Sequence, residues 1–113
     1  MRNVEIAVCL APGTTPPTGA VTLRAQVEEV TAADARARVV SRTAERGVDL
    51  TAGARLTLAL PEPDPRARYT VRVHADVDGS GAVAPEDFVS VRSNPVLTQG
   101  GPDAVTVEVR PVR

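Results

Sequence analysis

The stretch from Val21 to Glu28 reads VTLRAQVE, and it indicates the fold class more clearly than any other run in the chain. Apolar residues occupy every second position from Val21 to Val27, and polar residues fill the positions between them. Successive side chains of a β-strand point to opposite faces. The pattern therefore predicts a strand with one buried face and one solvated face.

The same alternation recurs along the chain, with turn signals between the runs. Further strands are predicted in residues 4–10, 39–50, 55–61, 69–75, 88–92, 94–98 and 104–112. The proline-rich segments 11–19 and 61–68 are predicted surface connections, because proline has no amide to donate to a sheet. Only residues 31–37 favour helix, and there we expect a single turn capped by Thr31.

Composition agrees with an all-β fold. Nineteen of the 113 residues are Val, whereas Ile, Phe and Tyr occur once each. Val is β-branched and fits a pleated, half-buried surface better than a helix. We therefore predict one domain over residues 1–113, an antiparallel β-sandwich of about seven or eight strands of the Ig-like or transthyretin-like kind.

Charge and cysteine content exclude several functional classes. All thirteen basic residues are Arg, and fourteen acidic residues leave a net charge of -1, so the basic surface of a nucleic-acid-binding protein is absent. Cys9 is the only cysteine, lies in an alternating apolar run and is predicted to be a buried, inert thiol. We expect no nucleic-acid partner and no direct insertion into a membrane.

The N-terminus has no charged region followed by a sustained apolar stretch, and no lipid-attachment signal around Cys9. As the sequence stands we expect a cytoplasmic location, or an envelope or periplasmic one if the natural chain begins further upstream.

Catalytic motifs are also missing from the sequence. A nucleophile paired with a base would have to use His74, the single histidine, which the alternation places on the solvent side of a strand. No glycine-rich phosphate loop or nucleophile elbow occurs. We therefore predict that the protein is not an enzyme.

The segment between Asp76 and Phe88 reads DVDGSGAVAPEDF and is the candidate ion site. Its acidic and glycine residues have the spacing of a calcium-binding loop, with Gly81 at the sharp turn. The candidate ligands are Asp76, Asp78, Ser80, the carbonyl of Ala82, Glu86 and Asp87. We call residues 76–87 the acidic loop.

Two interpretations of the acidic loop remain open. Position 12 of the loop is Asp87 rather than the usual Glu, and the strand upstream and Pro85 argue against the helices that flank an EF-hand. Turns also use Asp-Gly and Ser-Gly pairs without any metal, because aspartate bonds its own backbone. The loop is therefore either a metal-free strand connection or a structural Ca²⁺ site.

The outward-facing arginines also admit two interpretations. Arg24, Arg72 and Arg110 alternate with acidic residues such as Glu28 and Glu108 on predicted strands. Cross-strand ion pairs on a solvated face are the favoured interpretation, and a recognition surface for an acidic partner is the alternative.

The order of these motifs resembles a known family. The segment ADA at 33–35, the Tyr-led strand YTVRVHA at 69–75, the glycine-containing hairpin after it, and PVLT at 95–98 followed by Gly100 are similar to those of the YbaY-type lipoproteins. That family is also described as the type III secretion lipoprotein chaperone domain, or pilotin (YscW-like) domain. The resemblance covers about residues 19–112.

The resemblance implies a small β-sandwich, usually carried as an envelope lipoprotein, that binds another protein. Its pilotin members assist secretin assembly. We therefore expect a non-catalytic binding or accessory module that a Ca²⁺ ion in the acidic loop would stabilise. The alternative is a metal-free, chaperone-like intracellular protein that binds its partner through an exposed sheet edge.

Overall fold

Eight β-strands make up nearly all the regular structure of the residues that the structure describes. A computed structural model describes residues 2–30, 36–98 and 100–113. Its strands are β1 (Arg2–Leu10), β2 (Val21–Glu29), β3 (Arg38–Val48), β4 (Ala54–Leu60), β5 (Tyr69–Asp76), β6 (Phe88–Ser90), β7 (Pro95–Val96) and β8 (Ala104–Pro111). One short 3₁₀ helix, Leu50–Ala52, lies between β3 and β4. The predicted all-β class and strand number are thus confirmed.

The strands form one continuous hydrogen-bonded sheet in the order β3-β2-β5-β6-β8-β1-β4, and β7 pairs with β5 beside β6. The sheet curls until its two edge strands approach each other, and the Ser41 hydroxyl on β3 donates a 2.8 Å hydrogen bond to the Ala59 carbonyl on β4. The two layers expected of a sandwich are therefore parts of a single sheet that folds over its own core.

One strand pair departs from the predicted antiparallel arrangement. The first and last strands, β1 and β8, run parallel, with Glu5 opposite Ala104 and Leu10 opposite Val109. All other pairs are antiparallel. Alternation along one strand is the same whichever way its neighbour runs, so the sequence pattern does not report this orientation.

The core consists of the residues that the alternation pointed inward. On β2 the side chains of Val21, Leu23, Ala25 and Val27 are all buried, and the corresponding positions of β1, β4, β5 and β8 join them in one cluster. The core is thin because it holds mainly Val, Leu and Ala, with Tyr69 and Phe88 as its aromatic members. It separates the two layers and leaves the outward-facing residues of β2 and β5 on a common surface.

The helical turn expected near residues 31–37 falls mostly on 31–35, outside the described residues, as does the ADA segment of the family resemblance. The predicted strands at 88–92 and 94–98 are shorter than expected: β6 ends at Ser90 and β7 comprises only Pro95–Val96, while Asn94 exchanges hydrogen bonds with Val71 of β5.

Truncating a core valine tests this arrangement. Val27 is 0% exposed and Val91 is 62% exposed. We expect Val27→Ala to lower the free energy of unfolding by about 2–3 kcal/mol, because two methyl groups are lost from a packed interior. The matched control, Val91→Ala, should change it by less than about 0.5 kcal/mol. Urea unfolding measures both, and equal effects would show that Val27 is not in the core.

Candidate functional site

Two buried carboxylates begin and end the acidic loop. Asp76 is the last residue of β5 and Asp87 immediately precedes β6, and both are 0% exposed. The two strands pair as an antiparallel hairpin, so its geometry brings the loop ends together. The predicted strand connection is therefore confirmed, and the side chains of its two end residues are buried.

Asp76 organises the first half of the loop. Its Oδ1 accepts a 3.0 Å hydrogen bond from the Gly79 amide, and its Oδ2 accepts a 2.7 Å bond from the Gly81 amide. Both glycines have positive φ, +73° and +86°, a backbone conformation that L-residues rarely adopt. The Arg24 guanidinium of β2 adds a third donor, with its Nε 3.1 Å from Oδ2.

Asp87 organises the second half of the loop in the same way. Its Oδ1 accepts from the Val77 amide and its Oδ2 from the Ala84 amide, both at 2.9 Å. The Nε2 of His74 lies 2.7 Å from Oδ2 and donates to it. His74 points outward from β5, as the alternation predicted, but only 15% of its side chain is exposed.

Both carboxyl groups are held in the ionised form. Burial by itself would raise the pKa of Asp76, but hydrogen bonds, led by that from the Gly81 amide, outweigh it and the pKa lies below its usual value. Burial would likewise raise the pKa of Asp87, and the hydrogen bonds from His74 and two backbone amides lower it. Their ionisation therefore stabilises the fold above about pH 4, and this contribution is lost as the pH falls through the lowered pKa values.

The structure separates the predicted calcium ligands into two groups. Asp76 and Asp87 come together with His74, and the three offer ligand atoms within 4.8 Å of one another. The remaining candidates, Asp78, Ser80, Ala82 and Glu86, are exposed along the loop.

The bonding within the loop bears on whether calcium fits. All four oxygens of the two buried carboxylates already accept N–H groups, and the Arg24 guanidinium contacts Asp76 directly. A Ca²⁺ ion needs six to eight oxygen ligands and would have to displace these donors. This geometry favours the metal-free interpretation, and calcium binding stays a prediction.

A groove lies beside the loop on the outer face of β3, β2, β5 and β6. Its volume is about 790 Å³, and we call it the arginine groove. Its lining includes Arg24, Gln26, Arg42, Arg72, His74 and Val89. The acidic loop contributes Gly81 and Val83, so the loop that the buried carboxylates hold in place forms one side of this groove.

Sheet register explains why arginines collect in the groove. Gln26 of β2 lies opposite Arg42 of β3 on one side and opposite Arg72 of β5 on the other. Residues opposite each other in a sheet project from the same face. The sequence suggested an outward position for Arg72 but not its neighbour Arg42, because that pairing depends on which strands are adjacent.

The predicted cross-strand ion pairs are present in part. Arg24 of β2 forms such a pair with Asp76 of the neighbouring strand β5. Arg72 approaches Glu28, with its Nε 3.8 Å from Oε1, a distance longer than a charge-assisted hydrogen bond. The outer face is thus only partly neutralised by its own acidic residues.

Comparison with known proteins supports the fold. The structure is similar to that of an alternative pilotin from the type II secretion system of Vibrio cholerae, with a TM-score of 0.78 over 99% of this chain and 97% of the pilotin chain. Sequence identity between the two is 19%. No protein-family model matches the sequence, and a search of curated proteins finds no match either. No helix among the described residues has the length and apolar character needed to cross a bilayer.

Replacing one buried carboxylate tests the loop architecture. We expect Asp76→Asn to lower the free energy of unfolding by about 2–4 kcal/mol, because an amide nitrogen would face backbone donors in a buried position. Asp78→Asn is the control, since Asp78 is exposed and its Oδ1 accepts the local Ser80 amide, a bond that Asn retains. It should cost less than about 0.5 kcal/mol. A similar loss in both variants in urea unfolding would refute the distinction.

Thermal melting tests the calcium prediction. If the ion binds, the melting temperature of chelator-treated protein should rise when Ca²⁺ is added, since a ligand that binds only the folded state stabilises it. The Asp78→Asn variant should then lose the shift, because the loop would lose one ligand charge. Identical melting with Ca²⁺ and with chelator would end the calcium prediction and leave the metal-free loop.

Proposed function

We propose that this protein is a non-catalytic accessory protein that binds a partner protein, in the manner of a secretion pilotin. The observation that carries the proposal is the similarity in fold to the alternative pilotin, which extends over nearly the full length of both chains. A likeness of that extent concerns the complete architecture rather than a shared hairpin. Because fold alone does not determine function, further support has to come from the surface.

The polar groups of the buried cluster support a non-catalytic role. The Nε2 of His74 is hydrogen-bonded to Asp87. Both carboxylates accept backbone amides, and Asp76 also accepts from Arg24. Every buried side-chain polar atom among the described residues has a hydrogen-bond partner. A catalytic group must instead present a reactive atom to a substrate. The cluster therefore works as a structural support for the acidic loop.

The family resemblance adds a more specific identity to this proposal. On that view the protein is a YbaY-type, lipoprotein-like domain of the bacterial envelope. The alternative is that the protein binds its partner through an exposed sheet edge, but less of the sheet edge is exposed than the sequence suggested. The edge strands β3 and β4 face each other at Ser41 and Ala59, so part of each edge is covered by the other.

Site-specific photocrosslinking in the native host tests the proposal. A photoreactive residue would replace Ala44, Arg66 or Val91, which are exposed and lie on different parts of the surface. We expect at least one position to give a discrete adduct with another protein, identified by mass spectrometry, because an accessory protein must contact its partner. The same protein without irradiation is the control. If no position yields a discrete adduct, the proposal is wrong.

A further inference from the structure

We infer that the arginine groove binds an acidic segment of the partner protein, whose carboxylates contact Arg42 and Arg72. This inference rests on the proposed function and adds to it the place and the chemistry of binding.

Geometry places two arginines on either side of a neutral residue. Arg42 and Arg72 each lie opposite Gln26, on the two strands that flank β2. Adjacent strands are about 4.8 Å apart, so the two backbones are separated by about 10 Å. Arginine side chains are long enough to converge on one carboxylate above Gln26 or to hold two neighbouring ones. The side-chain amide of Gln26 lies between them and donates a hydrogen bond to the Glu28 carboxylate.

Charge in the groove is unevenly neutralised. Arg24 is paired with the fully buried Asp76. Arg72 keeps 66% of its side chain exposed and has only a long contact with Glu28. Arg42 is exposed, and no carboxylate of the described residues lies within 4.0 Å of its guanidinium. Two guanidinium groups, each able to bind a carboxylate through two hydrogen bonds, are therefore available to a ligand.

Apolar contacts favour a protein ligand over a small anion. Val83 of the acidic loop lines the groove and is 60% exposed, and the half-buried Val89 lies in the same lining. Protein interfaces combine arginine with apolar contacts at their centre. A segment with an acidic residue near an apolar one would match both features.

Charges around the groove argue against a polyanion. The chain as a whole has a net charge of -1, and the loop that borders the groove carries the exposed residues Asp78 and Glu86. A nucleic acid or an anionic bilayer would bring many negative charges close to these carboxylates. A short acidic peptide segment can enter the concave groove and avoid them.

Peptide binding measured by fluorescence anisotropy tests the inference. The probe is a labelled oligoglutamate peptide with leucine at both ends, and a matched oligoglutamine peptide serves as the neutral control. We expect the acidic peptide to bind and the neutral one not to bind. The double variant Arg42→Gln/Arg72→Gln should weaken binding about tenfold, which corresponds to two exposed ion pairs.

Two further variants make the result specific. Arg55→Gln/Arg66→Gln removes the same charge from exposed positions on β4 and in the β4–β5 connection, and it should leave binding unchanged. Glu28→Gln removes the carboxylate that competes for Arg72 and should tighten binding several-fold, a gain that misfolding would not produce. Equal weakening in both double variants, or no binding of the acidic peptide, would overturn the inference.

The remaining outcomes separate the inference from the proposed function. Binding of the intact protein to phosphatidylglycerol vesicles, with the same dependence on Arg42 and Arg72, would overturn the inference in favour of a lipid surface. A photocrosslinked partner from Arg66 or Val91 but not from Ala44, which lines the groove, would refute the groove while leaving partner binding intact. Absence of any partner would defeat the proposed function itself.

Discussion

Six hydrogen bonds to two buried carboxylates hold the acidic loop of this protein in shape. Asp76 accepts from two glycine amides and from Arg24, and Asp87 accepts from two further amides and from His74. Unpaired, each buried carboxylate would cost several kcal/mol, so the loop conformation that supplies the amides is the one in which both charges are tolerated. This loop conformation also places Val83 in the groove lining and keeps Arg24 and His74 in contact with the two carboxylates.

Much of the fold could be predicted from the sequence because burial of strand residues follows a period of two. The alternation in VTLRAQVE placed Leu23 in the core and Arg24 on the outer face, and both positions are confirmed. Which strands are neighbours in the sheet could not be predicted in this way. The parallel pairing of β1 with β8, and the position of Arg42 opposite Gln26, depend on contacts between strands far apart in the chain.

The position of the acidic loop between two strands could be predicted from the sequence, but the hydrogen bonds within the loop could not. Aspartates spaced around Gly79 and Gly81 suit a calcium ion and a network of backbone amides equally well, because both supply positive partners to carboxylate oxygens. The partners that distinguish the two possibilities include Arg24, which is 52 residues from Asp76 in the chain. The sequence placed His74 correctly on the outward side of its strand. It could not predict the low exposure of this side chain or its hydrogen bond to Asp87, because both depend on the tertiary structure.

The central claim is that ionised Asp76 and Asp87 hold the loop through their amide partners, and a pH titration followed by NMR tests it most directly. The carboxyl carbons of both residues should titrate below the ordinary aspartate pKa of about 3.9, and the Gly81 and Ala84 amide signals should shift in step with them. Titration of both groups at or above about 3.9, with no change in those amides, would contradict the account.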